Sequence, residues 1–299
     1  MDNITHTLVG AALAKAGLEK RTPLARGTLL IAANFPDIDV YSVALGTSLP
    51  IRRGITHGLP AHIVLPFVLA WLVWLWDAKV RRRRDPTLPA TDFRQLVILS
   101  AIGIATHPFL DYMNIYGMRW FMPFVNRWFY GDVLFIVDIW IWLTLIAGLI
   151  LAARLKSVAP PRMALGAIAL YIVAMAGITT VGRARVAAQV DSAEFMVGPV
   201  PFVPWRRDIL VADSASYRFG RWSLGSEVVF DGATLAKGDS DPAVAAAREA
   251  SQAKGFLSWS RYPFYRVVRE GGVTVVRMAD ARYMGETAKG WAAAEVRLP

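Results

Sequence analysis

His107 and Asp111 stand four residues apart at the end of a long apolar run, Ala105-Thr106-His107-Pro108-Phe109-Leu110-Asp111-Tyr112. In a helix they share one face, one turn apart, and can bind one metal ion together. Pro108 is tolerated near an element's end better than in its middle. Taken alone, the pair is equally well read as a hydrogen-bonded His and Asp at a membrane surface. Four further residues change the balance: His6, Asp37, Asp39 and His57 also lie at the ends of apolar segments. With no cysteine in the chain, thiolate sites are excluded. Histidine and carboxylate ligands suit zinc, manganese, iron or magnesium.

The elements that must position these residues are predominantly membrane helices. The 299 residues are 55% hydrophobic and 19% charged, below the quarter or so usual for soluble domains. Long apolar runs fill residues 1–182. Residues 183–299 read as a mixed globular segment. Two short apolar helices are expected over 4–17 and about 24–35, each too short to span and better placed as a re-entrant hairpin. Pro36 ends the second helix and leaves Asp37 and Asp39 in a turn, followed by a loop through Gly46 and Pro50. Four spans are expected, at 60–77, 93–110, 133–153 and 163–182, with an aromatic interfacial loop between the second and third.

The net charge of +10 raises nucleic-acid binding as an alternative. The densest cluster, Lys79 to Arg84, lies between two apolar runs, where a cytoplasmic loop would carry it, and no nucleic-acid motif accompanies it. Thirteen Lys and Arg fall in the short loops on one side of the four-span topology and four on the other. The basic side is cytoplasmic by the positive-inside rule. His6, Asp37, Asp39, His57, His107 and Asp111 then all lie on the outer face, and an extracytoplasmic C-terminal domain follows. No basic n-region precedes the first apolar run, so a cleaved signal peptide is not expected.

The C-terminal part, 190–299, reads as a small α+β domain. Val197 to Pro204 is an extended, proline-rich connector, strands follow at 207–213, 216–223 and 226–231, and a helix lies near 241–254. A hairpin over 267–277 turns on Gly271-Gly272. The membrane-embedded domain is 1–185. The fold class is thus a mainly α polytopic membrane protein with a C-terminal soluble α+β domain.

Other polar residues have readings of their own. Asp138, read as two turns into the third span, is a partner orienting a histidine, a general base, or an ion-pair partner of Arg127. Asp132 is a helix-start charge. Arg52 and Arg53 hold an anionic group such as phosphate, or anchor lipid headgroups. His62 faces away from His57, about 140° around a helix, and is left out of the ligand set.

In order along the chain, Thr5-His6-Thr7 with Gly10, Pro36-Asp37-Ile38-Asp39, Arg53-Gly54-Ile55-Thr56-His57 and His107-Pro108-Phe109-Leu110-Asp111 resemble the YdjM-like family. These are bacterial inner-membrane proteins described as membrane-bound metal-dependent hydrolases. Tyr116-Gly117, Pro123-Phe124, and Gly131-Asp132 followed by Asp138 extend the resemblance over the first 140 residues or so. The family commonly has His-Arg-Gly-x-Thr-His-Ser where this chain has Arg52-Arg53-Gly54-Ile55-Thr56-His57-Gly58. Either a ligand is missing, or that histidine lies outside the ligand set.

These observations combine into one expectation, a metal-dependent hydrolase at the outer face of the inner membrane. His6, Asp37, Asp39, His57, His107 and Asp111 would hold one or two ions, zinc first and manganese second. Asp39 or Asp138 would accept a proton, and Arg52 and Arg53 would bind substrate. Headgroup depth favours an ester or phosphoester of a lipid or lipid-linked molecule. A metal-stabilised scaffold is the non-enzymatic alternative and an ion transporter the third; no nucleic acid is expected as a partner.

Overall fold

The computed structural model describes residues 1–40, 52–191, 194–283 and 292–299. The loop through Gly46 and Pro50 lies outside the described residues. These residues divide into two compact units, one of 1–40 with 52–177 and one of 178–299.

The first unit is helical. Helix α1 (Asn3–Lys15) opens on Asp2, whose carboxylate accepts from the amides of Ile4 and Thr5 and so satisfies two orphan donors. Helix α2 (Ala25–Ala32) leads into a 3₁₀ turn, Phe35–Val40, which carries Asp37 and Asp39. A second 3₁₀ turn, Ile55–His57, precedes α3 (Leu59–Trp76), which takes proline in its first turn. A π-type turn over Asp77–Arg81 prolongs α3 to Arg84. Helix α4 (Phe93–Tyr112) is capped by Asp92 and continues past Pro108, so His107 and Asp111 do lie one turn apart.

Leu59–Arg84, Phe93–Tyr112 and, further on, α6 (Ala159–Ala187) are long and apolar enough to cross a membrane. The expected third span is shorter than its sequence suggests. Helix α5 opens only at Ile139 and ends at Leu155. Its 17 residues give about 26 Å of helix against a core of about 30 Å. The cause is Asp138, which caps α5 by accepting from the amides of Trp140 and Ile141. Asp138 is therefore not two turns inside a span. Its other oxygen accepts from the Tyr171 hydroxyl at 3.0 Å. Asp132 is corrected too: it is buried, in left-handed backbone, and precedes the helix rather than starting it.

Small residues let these helices approach closely. A Cβ added to Gly103 would sit 2.5 Å from the Ala32 Cβ, and one on Gly10 would sit 2.8 Å from the Leu29 carbonyl oxygen. Leu29 and Leu99 pack with Ala14 and Ala25; Ala32 packs with Leu69 and Ile104. Gly103→Leu should force α2 and α4 apart, costing about 1–3 kcal/mol by overpacking. Because His107 is one turn beyond Gly103, that variant should also weaken metal binding. Thermal unfolding and metal titration would check this, and unchanged values in both would refute the close-packing argument.

The second unit begins with the last turns of α6 and contains two antiparallel sheets. The first has the order β1-β2-β3-β4: Phe195–Pro199, Arg206–Ala212, Ser216–Ser223 and Val229–Ala236. The second has β5-β6-β7: Pro263–Glu270, Val273–Asp280 and Ala293–Leu298. The proline-rich connector is in part strand β1, pairing Phe195 with Val211, with its one proline at the strand's last position. The expected helix is two, α7 (Pro242–Arg248) and α8 (Ser251–Leu257), because Ala250 is extended between them. Gly271 and Gly272 both have positive φ, as the two-residue β5–β6 turn requires.

Asp280 ties this unit together. Its carboxylate accepts from Ser260 Oγ, the amides of Arg261, Tyr262 and Arg282, and the Arg282 guanidinium. Burial opposes its charge, but Arg282 and these bonds hold its pKa below the usual carboxylate value. A depressed carboxylate stabilises the fold above its unfolded pKa and loses that contribution as pH falls through the folded value. Asp280→Ala should cost about 3–5 kcal/mol by leaving the buried Arg282 guanidinium without this carboxylate. It should also flatten the acid limb of the stability profile. Denaturant unfolding at pH 7 and pH 3 tests both expectations.

Candidate metal centre

Three elements of the first unit, the two 3₁₀ turns and helix α4, bring together Asp37, His57, His107 and Asp111. One potential ligand atom from each lies within 4.8 Å of all the others, and all four residues are buried. His57 Nε2 is 3.6 Å from Asp37 Oδ1 and 3.5 Å from Asp111 Oδ2. His107 Nε2 is 3.7 Å from Asp37 Oδ1 and 3.4 Å from Asp111 Oδ2. The two Nε2 atoms are 3.2 Å apart. Ligands arranged tetrahedrally at 2.0–2.2 Å from one ion lie about 3.3–3.6 Å from each other, so the spacing fits a single ion.

The protons support the same reading. His107 Nδ1 is 2.7 Å from the carbonyl oxygen of Ala33, which can only accept, so Nδ1 carries the hydrogen. His57 Nδ1 faces the Asp39 carboxylate at 3.3 Å and Thr56 Oγ1 at 3.0 Å, and it too is the donor. In their neutral forms both imidazoles then point Nε2 lone pairs at one spot, flanked by two carboxylates. Such an arrangement repels itself unless a cation or a proton sits there. Burial alone would lower the His57 pKa; hydrogen bonds to Asp111, Asp37 and Asp39 reverse this and raise it to about 10. Burial likewise disfavours the Asp37 anion, but the imidazoles of His107 and His57 hold its pKa far below the carboxylate range. The site selects positive charge.

The remaining expected residues surround this group. Asp39 sits behind His57, accepting also from the Arg53 amide at 2.8 Å and the Thr56 hydroxyl at 3.2 Å. This is the carboxylate–histidine pairing that fixes a metal-binding imidazole. His6 stacks on His107 at 3.8 Å with 19° between the rings, and its Nε2 is 3.4 Å from Asp111 Oδ1. Arg53 is buried, and its guanidinium bonds Asp111 Oδ1 at 2.9 Å, Asn114 Oδ1 at 3.2 Å and the Gly117 carbonyl at 3.0 Å. The Tyr116 ring lies 4.5 Å beneath the guanidinium. The Met1 amino group also contacts Asp111 Oδ1. Arg52 is partly exposed, 3.6 Å from Asp37 Oδ1. Asp138 caps α5 and is not among the four grouped ligands. His62 is outside them too, edge-on to Trp120.

Several contacts had no signal in the spacing of His and Asp. The Ala33 carbonyl, Asn114 and the left-handed backbone of Arg53 (φ 50°) belong to this category. The Tyr116-Gly117 motif was the available clue, since it supplies the ring under Arg53 and the carbonyl it donates to. Arg119 is another: buried, it stacks on Trp128 and donates to the Arg52 carbonyl, tying the aromatic loop to the site. Gly58 admits this loop, because a Cβ there would lie 2.4 Å from the Met122 carbonyl oxygen.

A bundle of apolar helices holding a buried His and Asp cluster defines a membrane protein with a potential metal site. Residues 1–186 match the family described as YdjM inner membrane protein, and the chain belongs to that family. It is also similar to a Bacillus subtilis (strain 168) protein named "Uncharacterized protein YfhP". The two are 23% identical over 302 residues, covering 95% of this chain and 87% of the relative. No solved structure matches.

Proposed function

We propose that the chain is a membrane-bound metal-dependent hydrolase acting on an ester or phosphoester of a lipid or lipid-linked molecule at the outer membrane face. The observation that carries this reading is the pair of imidazole Nε2 atoms 3.2 Å apart between two buried carboxylates. An ion held by Asp37, His57, His107 and Asp111, zinc first and manganese second, would polarise the scissile bond and lower the pKa of water. Asp39 orients His57, and Arg53 orients Asp111. Asp37 is the most exposed of the four at 8%, so water and substrate approach from its side. Arg52 stands there with a guanidinium suited to an anionic headgroup. Phe121, Phe124 and Val125, on the loop packed over Gly58, present apolar surface that suits acyl chains.

A second reading has one observation in its favour. Four protein ligands complete a tetrahedral zinc shell, as in structural sites, whereas catalytic zinc keeps a position open. The test is hydrolysis of phosphoester and carboxylester lipids by the protein in mixed micelles, with and without chelator. The hydrolase reading expects turnover that chelation abolishes and zinc or manganese restores, with Arg52→Ala raising KM more than it lowers kcat. A stoichiometrically metallated protein that hydrolyses none of these lipids would support the scaffold.

A further inference from the structure

The last turns of α6 pack along the β1–β2 end of the second unit. Arg162 and Arg183 bound 20 uncharged residues of this helix, about 30 Å, one hydrocarbon thickness. Thr179 lies one turn inside that boundary, and its hydroxyl accepts from Arg207 Nε at 3.1 Å. Arg207 is in the first residues of β2. A turn further along α6, Gly182 lies against Trp222 and Val197, and Val186 packs with Ile209 and Val211. Helix and strand β2 therefore run side by side in the same direction.

At the Arg207 end of this sheet three large apolar side chains are exposed. Phe202 is 65% exposed, Trp205 55% and Leu224 55%. They are neighbours: the Leu224 amide donates to the Trp205 carbonyl at 3.0 Å, and Phe202 belongs to the short β1–β2 connection. That connection is held by the Val203 amide on the Pro201 carbonyl and the Arg206 amide on the Val203 carbonyl. Exposed aromatic side chains at headgroup level are what an interface selects, since they bury apolar area while their polar edges stay wet. We propose that Phe202, Trp205 and Leu224 form a lip that inserts into the lipid leaflet from which α6 emerges. The lip fixes the tilt of the second unit on the bilayer, and it does so whichever side of the membrane that unit occupies.

The chain has no cysteine, so single cysteines can report on depth. Phe202→Cys, Trp205→Cys and Ser214→Cys would each be labelled with an environment-sensitive fluorophore in the full-length protein. The host would be nanodiscs of phosphatidylcholine and phosphatidylglycerol, with or without lipid spin-labelled high on the acyl chain. Ser214 is exposed in the turn that follows β2, whose seven residues span about 24 Å, and serves as the reference. At 202 and 205 we expect blue-shifted emission quenched roughly threefold more than at 214, as insertion to 5–10 Å implies. Equal quenching at all three positions would overturn the proposal. So would a blue shift at 202 and 205 without lipid quenching, because protein rather than lipid would then cover the lip.

Discussion

Protein purified in detergent should carry about one equivalent of zinc or manganese, and Asp37→Ala and His107→Ala should each carry almost none. Each removes a quarter of the shell and leaves the remaining ligands around a gap. The two positions come from a turn and a helix seventy residues apart, so parallel loss would show that both belong to one site. Asp39→Asn makes a different prediction. It keeps all four ligands and weakens the acceptor for His57 Nδ1, so affinity should fall about 10–100-fold without vanishing. Stability follows occupancy, since an ion present at a hundred times its Kd stabilises the fold by about 2.7 kcal/mol, which chelation would remove. Atomic-emission metal analysis and thermal unfolding with and without chelator measure these effects. Absence of metal from the wild type after incubation with excess zinc and manganese would sink the metal centre. The buried proton on His57 would then be the charge that the carboxylates hold.

The second large effect should come from a residue that binds no metal. Arg53→Met should destabilise the first unit by about 3–5 kcal/mol and weaken metal binding as well. Arg53 is 5% exposed and faces Asp111, itself 1% exposed, so removing the guanidinium takes a fixed positive partner from a buried carboxylate oxygen and leaves it only the Met1 amino group and His6 Nε2. Asp111 then lacks the contact that turns its other oxygen toward His57 and His107. Arg53→Lys should rescue little, because one ammonium cannot reach Asp111, Asn114 and the Gly117 carbonyl together as the planar fork does. Denaturation in detergent and metal titration of the two variants decide the matter. A Lys variant equal to wild type in both would mean that charge alone, not the three-way geometry, holds Asp111.

How much of this was legible beforehand depends on whether the cause is local. The i, i+4 relation of His107 and Asp111 follows from helical pitch, and the Gly271-Gly272 hairpin from the φ > 0 that its turn demands. The start of α5 did not follow from hydropathy. Val133 to Val137 are apolar enough to continue the run, but the Asp138 carboxylate caps the helix and excludes them from it. Strand β1 was hidden among prolines because its evidence is the partner strand, not its own composition.

The sequence by itself determined the membrane class, the three longest apolar helices and the supply of His and Asp at the ends of apolar segments, since hydropathy and burial of apolar surface are local consequences of residue type. Only the tertiary structure decided which of six candidates form the four-atom cluster. That choice rests on where the turn at Asp37, the turn at His57 and helix α4 meet, and on the tautomers set by the Ala33 carbonyl and Asp39. Neither spacing nor composition encodes those contacts, because they join residues eighteen to more than seventy positions apart.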